Sequence, residues 1–316
     1  MRILVTGITG QIGSYCAEQL LAQGHRVTGL VRGQKTPQLP AGIGIVHGDL
    51  LDEDSLVAAL RDAAPDRIYN FAAATAIGLS WQMPSLMAST TGLGVLRLLN
   101  AVRRVNPGIR VVQASSADQY GEMTTPADES TPFAPRSPYG VAKQFAHDIC
   151  LTYREAFGMH ISTAIQFNVT SPRHGDEFVV RKVTQAAVRI AYTGDQSPLY
   201  LGWLDAQRDW GHAADTARAY PMIADEDEPG DYVLATGRAR SLRDLLDSAF
   251  GAVDLNWTEW VVASGDRRPL DVAYRCGDSE KAFTHLSWTR RYDFGSMILE
   301  MVQADKAKLT EKRRSS

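Results

Sequence analysis

From Arg2 to Phe167 the chain alternates strand-length apolar runs with helix-length amphipathic ones, and that rhythm leaves few folds open. Arg2–Thr6 reads as a strand, residues 11–23 as a helix closed by Gly24, Arg26–Val31 as a strand, and Glu53–Ala63 as a helix capped by Asp52. Residues 67–71, 110–114 and 161–167 read as further strands, separated by helices over 86–105 and 139–157. Alternation of this kind packs as a parallel sheet with right-handed crossovers and helices on both faces. The expected fold is α/β, a doubly wound parallel sheet, whose ligands sit beyond the carboxyl ends of the strands.

After Asn168 the rhythm breaks. Residues 169–208 are rich in Pro, Gly, Arg and Asp, residues 209–219 and 231–236 read as a late helix and strand returning to the sheet, and from about 239 the elements shorten. The expected division is a dinucleotide-binding domain from 1–168 and 209–238, with a smaller substrate-binding lobe from 169–208 and 239–316. A chain of 316 residues that is 44% hydrophobic can bury one large core with such a lobe attached. The Lys/Arg-rich end, 306–314, reads as a solvated, fraying helix.

Charge and cysteine usage narrow the function classes. A net charge of -3 gives no electrostatic case for nucleic acid or an anionic membrane. The three cysteines form no CxxC pair and the seven histidines make no metal set, so buried thiols in a reducing compartment are expected, with no metal. No apolar run approaches the roughly 20 residues that span a bilayer, and the N-terminal run is strand-like rather than a leader, so a cytoplasmic location is expected.

The chemistry is concentrated in three stretches that follow predicted strands. In the first, Gly7-Ile8-Thr9-Gly10-Gln11-Ile12-Gly13, Gly7 permits a tight turn, Gly10 lets the backbone approach a pyrophosphate, and Gly13 allows close helix packing; the helix start offers unpaired N–H donors to phosphates. The second strand ends on Arg32 where an acid would grip ribose hydroxyls, so a 2′-phosphate and hence NADP is expected, with NAD the alternative. Asp49 and Leu50 follow the third strand, where Asp49 could accept from an adenine amino group or form an Asx turn.

The second stretch, Ser115-Ser116-Ala117-Asp118, and the third, Tyr139 with Lys143, supply a base for an alcohol. Tyr and Lys four apart share a helix face, and an ammonium there is expected to lower the pKa of the phenol. Ser116 could hold the same substrate oxygen, and Asp118 could act as a second acid/base or cap a turn. His174 reads as a loop residue, and His212 as one that orders the turn around Trp210.

These residues resemble the extended short-chain dehydrogenase/reductases, and within them the GDP-mannose 4,6-dehydratase family. The likeness runs through residues 6–15 (TGITGQIGSY), 70–73, 137–143 (SPYGVAK), 167–182 (FNVTSPRHGDEFVVRK), 199–212 (LYLGWLDAQRDWGH) and Arg268-Pro-Leu-Asp271. The resemblance implies a Rossmann-type fold and catalytic roles for Ser116, Asp118, Tyr139 and Lys143. It implies cofactor contacts from Gly7, Gly10, Gln11, Ile12, Gly13, Arg32, Asp49, Leu50, Phe71, Ala72 and Ala73, with Tyr139 and Lys143. It implies nucleotide-sugar contacts from Ser80, Ser115, Asn168, Arg181, Lys182, Arg208, Arg268 and Asp271. Ser116 stands where the family has Thr, and four departures from the family stand out: Asp118 replaces Glu, Val169-Thr170 replaces His-Glu, Trp203 replaces Asn, and the 33–42 loop is short and lacks the family's second arginine.

The implied reaction oxidises a sugar at C4, eliminates water across C5 and C6, and returns the hydride to C6. The implied partner is a small nucleotide sugar, and the implied assembly a homodimer or homotetramer. The same cleft could serve an epimerase acting at C4 or at C3/C5, and the same fold a non-catalytic dinucleotide sensor.

Overall fold

The computed structural model describes residues 1–33, 39–75 and 77–315. Seven parallel strands form the central sheet in the order Asp231–Leu234, Ile161–Gln166, Arg110–Ser116, Arg67–Asn70, Arg2–Thr6, Arg26–Val31, Gly44–His47. The strand order reverses direction between Arg2–Thr6 and Arg67–Asn70, and a ligand crevice opens at such a switch point. The parallel doubly wound sheet expected from the sequence is the one observed.

Helices cover both faces because the strands bury side chains on both. Helices Gln11–Ala22 and Ala213–Asp225 press Cys16, Leu20, Tyr220 and Ile223 onto Ile3, Val5 and Val27. On the other face Glu53–Ala63, Leu93–Val105 and Pro138–Phe157 deliver Leu56, Leu60, Leu98, Val102 and Cys150 onto Leu4, Ile68 and Val111. All three cysteines are buried and unpaired. Asp52 caps its helix as expected, accepting from the N–H groups of Asp54 and Ser55.

Two expected elements are placed differently. The single helix over 86–105 is broken into Pro84–Met87, a wide π turn over Ala88–Gly92, and Leu93–Val105. The break has partners: the Ser89 carbonyl accepts from Arg97 at 3.0 Å, and the Thr91 hydroxyl donates to the Ala74 carbonyl at 3.1 Å, tying the helix to the loop after Asn70. Residues 209–212 belong not to a helix but to strand Gln207–His212, and the helix begins at Ala213 with the His212 ring accepting from the Ala214 N–H at 3.1 Å.

A second core lies apart from the sheet. Helices Val179–Thr193, Leu242–Gly251 and Phe294–Ser315 enclose Val183, Leu246, Phe250, Met297 and Met301. The basic end of the last helix is held rather than frayed: the Lys306 ammonium sits 4.3 Å over the Tyr192 ring, and Arg313 donates to the Tyr192 carbonyl at 2.7 Å. Beside this core, strand Gln207–His212 pairs with Ala239–Ser241, Tyr274–Arg275 and Asn168–Thr170. The buried Asp209 carboxylate ties this sheet together, accepting from the N–H groups of Thr236 and Gly237 at 2.8 and 2.9 Å. Ala282, Leu286 and Trp288 return to the core of the large sheet, so the C-terminal segment contributes to both cores.

Candidate active site

The glycine turn is built as its residue types require. Gly7 has φ +62°, and a Cβ there would stand 2.8 Å from the backbone of Phe71 and Ala72; a Cβ on Gly13 would meet the Gly7 carbonyl oxygen at 2.3 Å. The helix that starts at Gln11 has no side-chain cap and no acid in its first turn, so its first N–H donors and dipole face the crevice unopposed. These features fit a pyrophosphate. Ala72 is fixed against the turn by its N–H bond to Thr6 Oγ1 at 3.0 Å, and Thr6 in turn bonds Asn70 across the switch point.

The other expected cofactor residues divide. Arg32 is exposed at the end of its strand, and the loop residues 34–38 that follow Gly33 lie outside the described residues. Asp49 makes the Asx turn, its Oδ1 accepting from the Leu51 N–H at 2.9 Å, which leaves Oδ2 for another partner. Leu50 buries its side chain in the core, so only its backbone can face a ligand. Ile12 packs partly against the core, and Gln11 spends its side chain on the neighbouring loop, donating to the Val169 carbonyl and accepting from Ser171, both at 3.0 Å.

The catalytic residues converge from separate elements. Ser116 ends its strand and caps a short 3-10 turn, accepting from the Asp118 N–H at 3.2 Å; its hydroxyl lies 3.4 Å from Asp118 Oδ2. Tyr139 opens helix Pro138–Phe157, which Ser137 caps through the Gly140 N–H at 3.0 Å. Gly140 lets that helix lie on the Asp118 loop, because a Cβ there would meet the Asp118 carbonyl oxygen at 2.6 Å. The Tyr139 hydroxyl lies beside Ser116, close enough to feel its hydroxyl dipole. Lys143 is buried one turn on, its Nζ donating to the Ala114 carbonyl at 2.8 Å and standing 5.9 Å from the Tyr139 ring centre.

The electrostatics correct one expectation. Burial, and then the Asp118 carboxylate, push the Tyr139 phenol up from its ordinary pKa, and it is Ser116 and Arg275 that pull it back rather than Lys143. Burial pulls Lys143 itself down to about 8.

Beyond the catalytic residues lies a pocket lined by Trp81, Asp118, Arg136, Ser137, Arg268, Asp271 and Arg275. Arg208 bonds Asp271 at 2.9 Å, Arg268 approaches the other Asp271 oxygen at 3.6 Å, and Arg275 bonds Asp118 at 2.9 Å. Burial, then the neighbouring Arg275, pull Arg208 down to about 10, still charged at neutral pH.

Two expected substrate contacts are otherwise engaged. Arg181 is buried in an ion pair with Asp305 at 2.6 Å, joining two helices of the second core, so its guanidinium is not free for a phosphate. Ser115 lies on the sheet face opposite Ser116, since side chains alternate along a strand, and its hydroxyl donates to Gln119 at 3.0 Å. Lys182 is exposed, Ser80 is buried in helix Ile77–Gln82, and Asn168 is half-buried on a strand paired with Trp210. His174 stacks on Phe178 at 4.0 Å and is held near pKa 4 by burial, and His212 stacks on Tyr292 at 3.8 Å; neither faces this cleft's catalytic residues. Among the described residues no group of His, Cys, Asp and Glu could hold a metal.

Sequence reasoning missed Trp81, Arg136 and Arg275. Arg136 directly precedes the SPYGVAK stretch and could have been included on that ground. Arg275 carries no local signal and reaches Asp118 only through strand pairing.

A switch-point crevice with a glycine turn, together with Ser116 at the end of a nearby strand and Tyr139 and Lys143 on the helix that follows, defines an extended short-chain dehydrogenase/reductase. The profile of GDP-mannose 4,6 dehydratase matches residues 4–301, and the chain belongs to that family. It is 39% identical to GDP-mannose 4,6 dehydratase 1 of Arabidopsis thaliana over 96% of this chain and 89% of that one, and 36% identical to the Homo sapiens GDP-mannose 4,6 dehydratase over 96% and 90%. Among solved structures it is similar to the UDP-glucose 4-epimerase of Thermus thermophilus in complex with NAD, with a TM-score of 0.86 and 28% identity over 97% of this chain and 99% of that one.

Proposed function

We propose that this protein is a nucleotide-sugar 4,6-dehydratase that takes GDP-mannose or a close GDP-sugar to its 4-keto-6-deoxy form with a bound nicotinamide dinucleotide. The observation that carries the reading is the convergence of Ser116, Asp118 and Tyr139 on one cleft, in a chain whose curated relatives carry that activity in their names. On this reading residues 1–168 and 209–238 hold the dinucleotide, and 169–208 and 239–316 the nucleotide sugar.

The glycine turn and the uncapped helix start hold the pyrophosphate. A nicotinamide dinucleotide held there would supply the hydride acceptor for C4 and the donor for C6. Tyr139 accepts the C4 hydroxyl proton while Ser116 holds that oxygen; Ser116 and Arg275 favour the phenolate, and Lys143 is buried one turn on. The ketone acidifies C5, and Asp118 takes the C5 proton. The C6 hydroxyl departs as water with a proton from one of these two acids, and C5 is reprotonated from the other. Arg208 and Arg268 are the cations at hand for the diphosphate.

Arg32 supports NADP over NAD, since a guanidinium matches a 2′-phosphate. Replacing Arg32 with alanine should weaken NADP and leave NAD nearly unchanged; equal weakening, measured by calorimetry, would assign the residue to the solvated surface. Exposed Leu93, Val141 and Phe145, on helices that pack together, support a homodimer. Three buried thiols and no membrane-length apolar helix among the described residues suit the cytoplasm.

The deciding experiment incubates the purified protein with GDP-mannose and weighs the product. Loss of one water is expected. A product of unchanged mass would make the protein an epimerase, and no conversion would remove GDP-mannose as substrate.

A further inference from the structure

Asp118 is a charged group in a nearly closed place, its side chain 14% exposed on a short 3-10 turn. A carboxylate so placed needs a cation or it costs several kcal/mol. The partner comes from far along the chain. Arg275, on the two-residue strand Tyr274–Arg275, sets its Nη1 2.9 Å from Asp118 Oδ1 with only 7% of its side chain exposed. The other carboxylate oxygen, Oδ2, is left toward Ser116 Oγ at 3.4 Å.

The register explains why an arginine at this position reaches the site. Arg275 pairs with Arg208 across parallel strands, so two guanidiniums stand side by side, an arrangement that like charges disfavour. Each is given its own acid: Arg275 takes Asp118 and Arg208 takes Asp271. Among the described residues the buried Arg275 Nε has no hydrogen-bond partner, and the one ion pair of the guanidinium is with Asp118.

We propose that Arg275 is the positioning residue for the C5 base: its ion pair fixes Oδ1, so that Oδ2 is the oxygen presented beside Ser116 and Tyr139. The proposal rests on the dehydratase reading for the reaction it serves, and on the 2.9 Å contact for the pairing itself. The charged and titratable groups that act with Asp118 are Arg275, Arg208, Tyr139 and Lys143, with Arg136, Arg268 and Asp271 lining the same pocket. Arg275 alone among them makes an ion pair with it.

Two variants test this. Arg275→Leu removes the charge, and Arg275→Lys keeps a cation on a long side chain. With GDP-mannose and cofactor in deuterated water, C4 oxidation is read from the near-ultraviolet absorbance of reduced cofactor, and C5 exchange from deuterium in the sugar. Arg275→Leu should lower C5 exchange roughly tenfold or more near neutral pH and C4 oxidation by clearly less, the smaller loss reflecting the help that Arg275 gives the Tyr139 phenolate. Arg275→Lys should recover part of both. Wild-type exchange in Arg275→Leu would overturn the proposal. If Arg275→Leu does not fold, wild-type exchange in Arg275→Gln decides the same point.

If the wild-type protein converts no GDP-mannose, the dehydratase reading falls by itself. The pairing is then judged by carbon NMR of the Asp118 carboxyl in wild type and variant. An Asp118 carboxyl resonance in the same place in wild type and variant at neutral pH would overturn the pairing, and a displaced resonance would sustain it.

Discussion

At the scale of single residues, the site turns on a phenol that its surroundings push up and an ammonium that they push down. Tyr139→Phe removes the acceptor of the C4 proton, and turnover should fall by at least about 10²-fold, the lower end of what a positioned base supplies, with cofactor affinity little changed. Turnover near wild type would take Tyr139 out of the mechanism. Lys143 gives the pH dependence its sign. The protonated ammonium is the form that donates most strongly to the Ala114 carbonyl behind the site, and its fraction falls as pH rises through about 8, so kcat/KM should decline above that pH. Arginine does not titrate in this range, so Lys143→Arg, though slower, should lose that alkaline limb in a rate profile. A limb that persists unchanged in the variant would assign it to another group.

At the scale of elements, the same ion-pair chemistry does structural work in the second core. Arg181 joins helix Val179–Thr193 to helix Phe294–Ser315 through Asp305, which also accepts from Thr184 at 2.8 Å. Asp305→Ala leaves a buried guanidinium whose remaining carboxylate, Asp176, is mostly exposed and 3.6 Å away. The expected cost is about 3–5 kcal/mol in urea unfolding, as for other buried pairs broken on one side. A phosphate-binding role for Arg181 predicts instead a freed cation, unchanged stability and tighter GDP binding, so the two accounts give opposite results. The π turn over Ala88–Gly92 belongs to this scale too: the apolar periodicity continued through it, while Thr91 and Arg97 gained tertiary partners that the pattern does not encode.

At the scale of the whole molecule, Leu93, Val141 and Phe145 leave apolar surface on helices beside the active-site loops. If that face joins two copies, the wild-type protein should sediment as a dimer at micromolar concentration and Val141→Arg as a monomer that keeps its fold, since Val141 is 54% exposed in the single chain. A wild-type monomer in sedimentation would overturn the dimer.

What the sequence determined by itself was everything set by local chemistry and short-range period. Strands Arg2–Thr6 and Arg26–Val31, the Asp52 cap, and Tyr139 on the first turn of its helix could be read from residue types and spacing, because each depends on neighbours within a few positions. The tertiary structure alone decided which charges face which. Arg181 and Arg275 look alike as isolated arginines, yet helix packing buries the first against Asp305, and strand register delivers the second, 157 residues along the chain, to Asp118. Charge pairing is a long-range choice: a guanidinium binds whichever carboxylate the fold brings within about 3 Å, and neither composition nor periodicity records that distance.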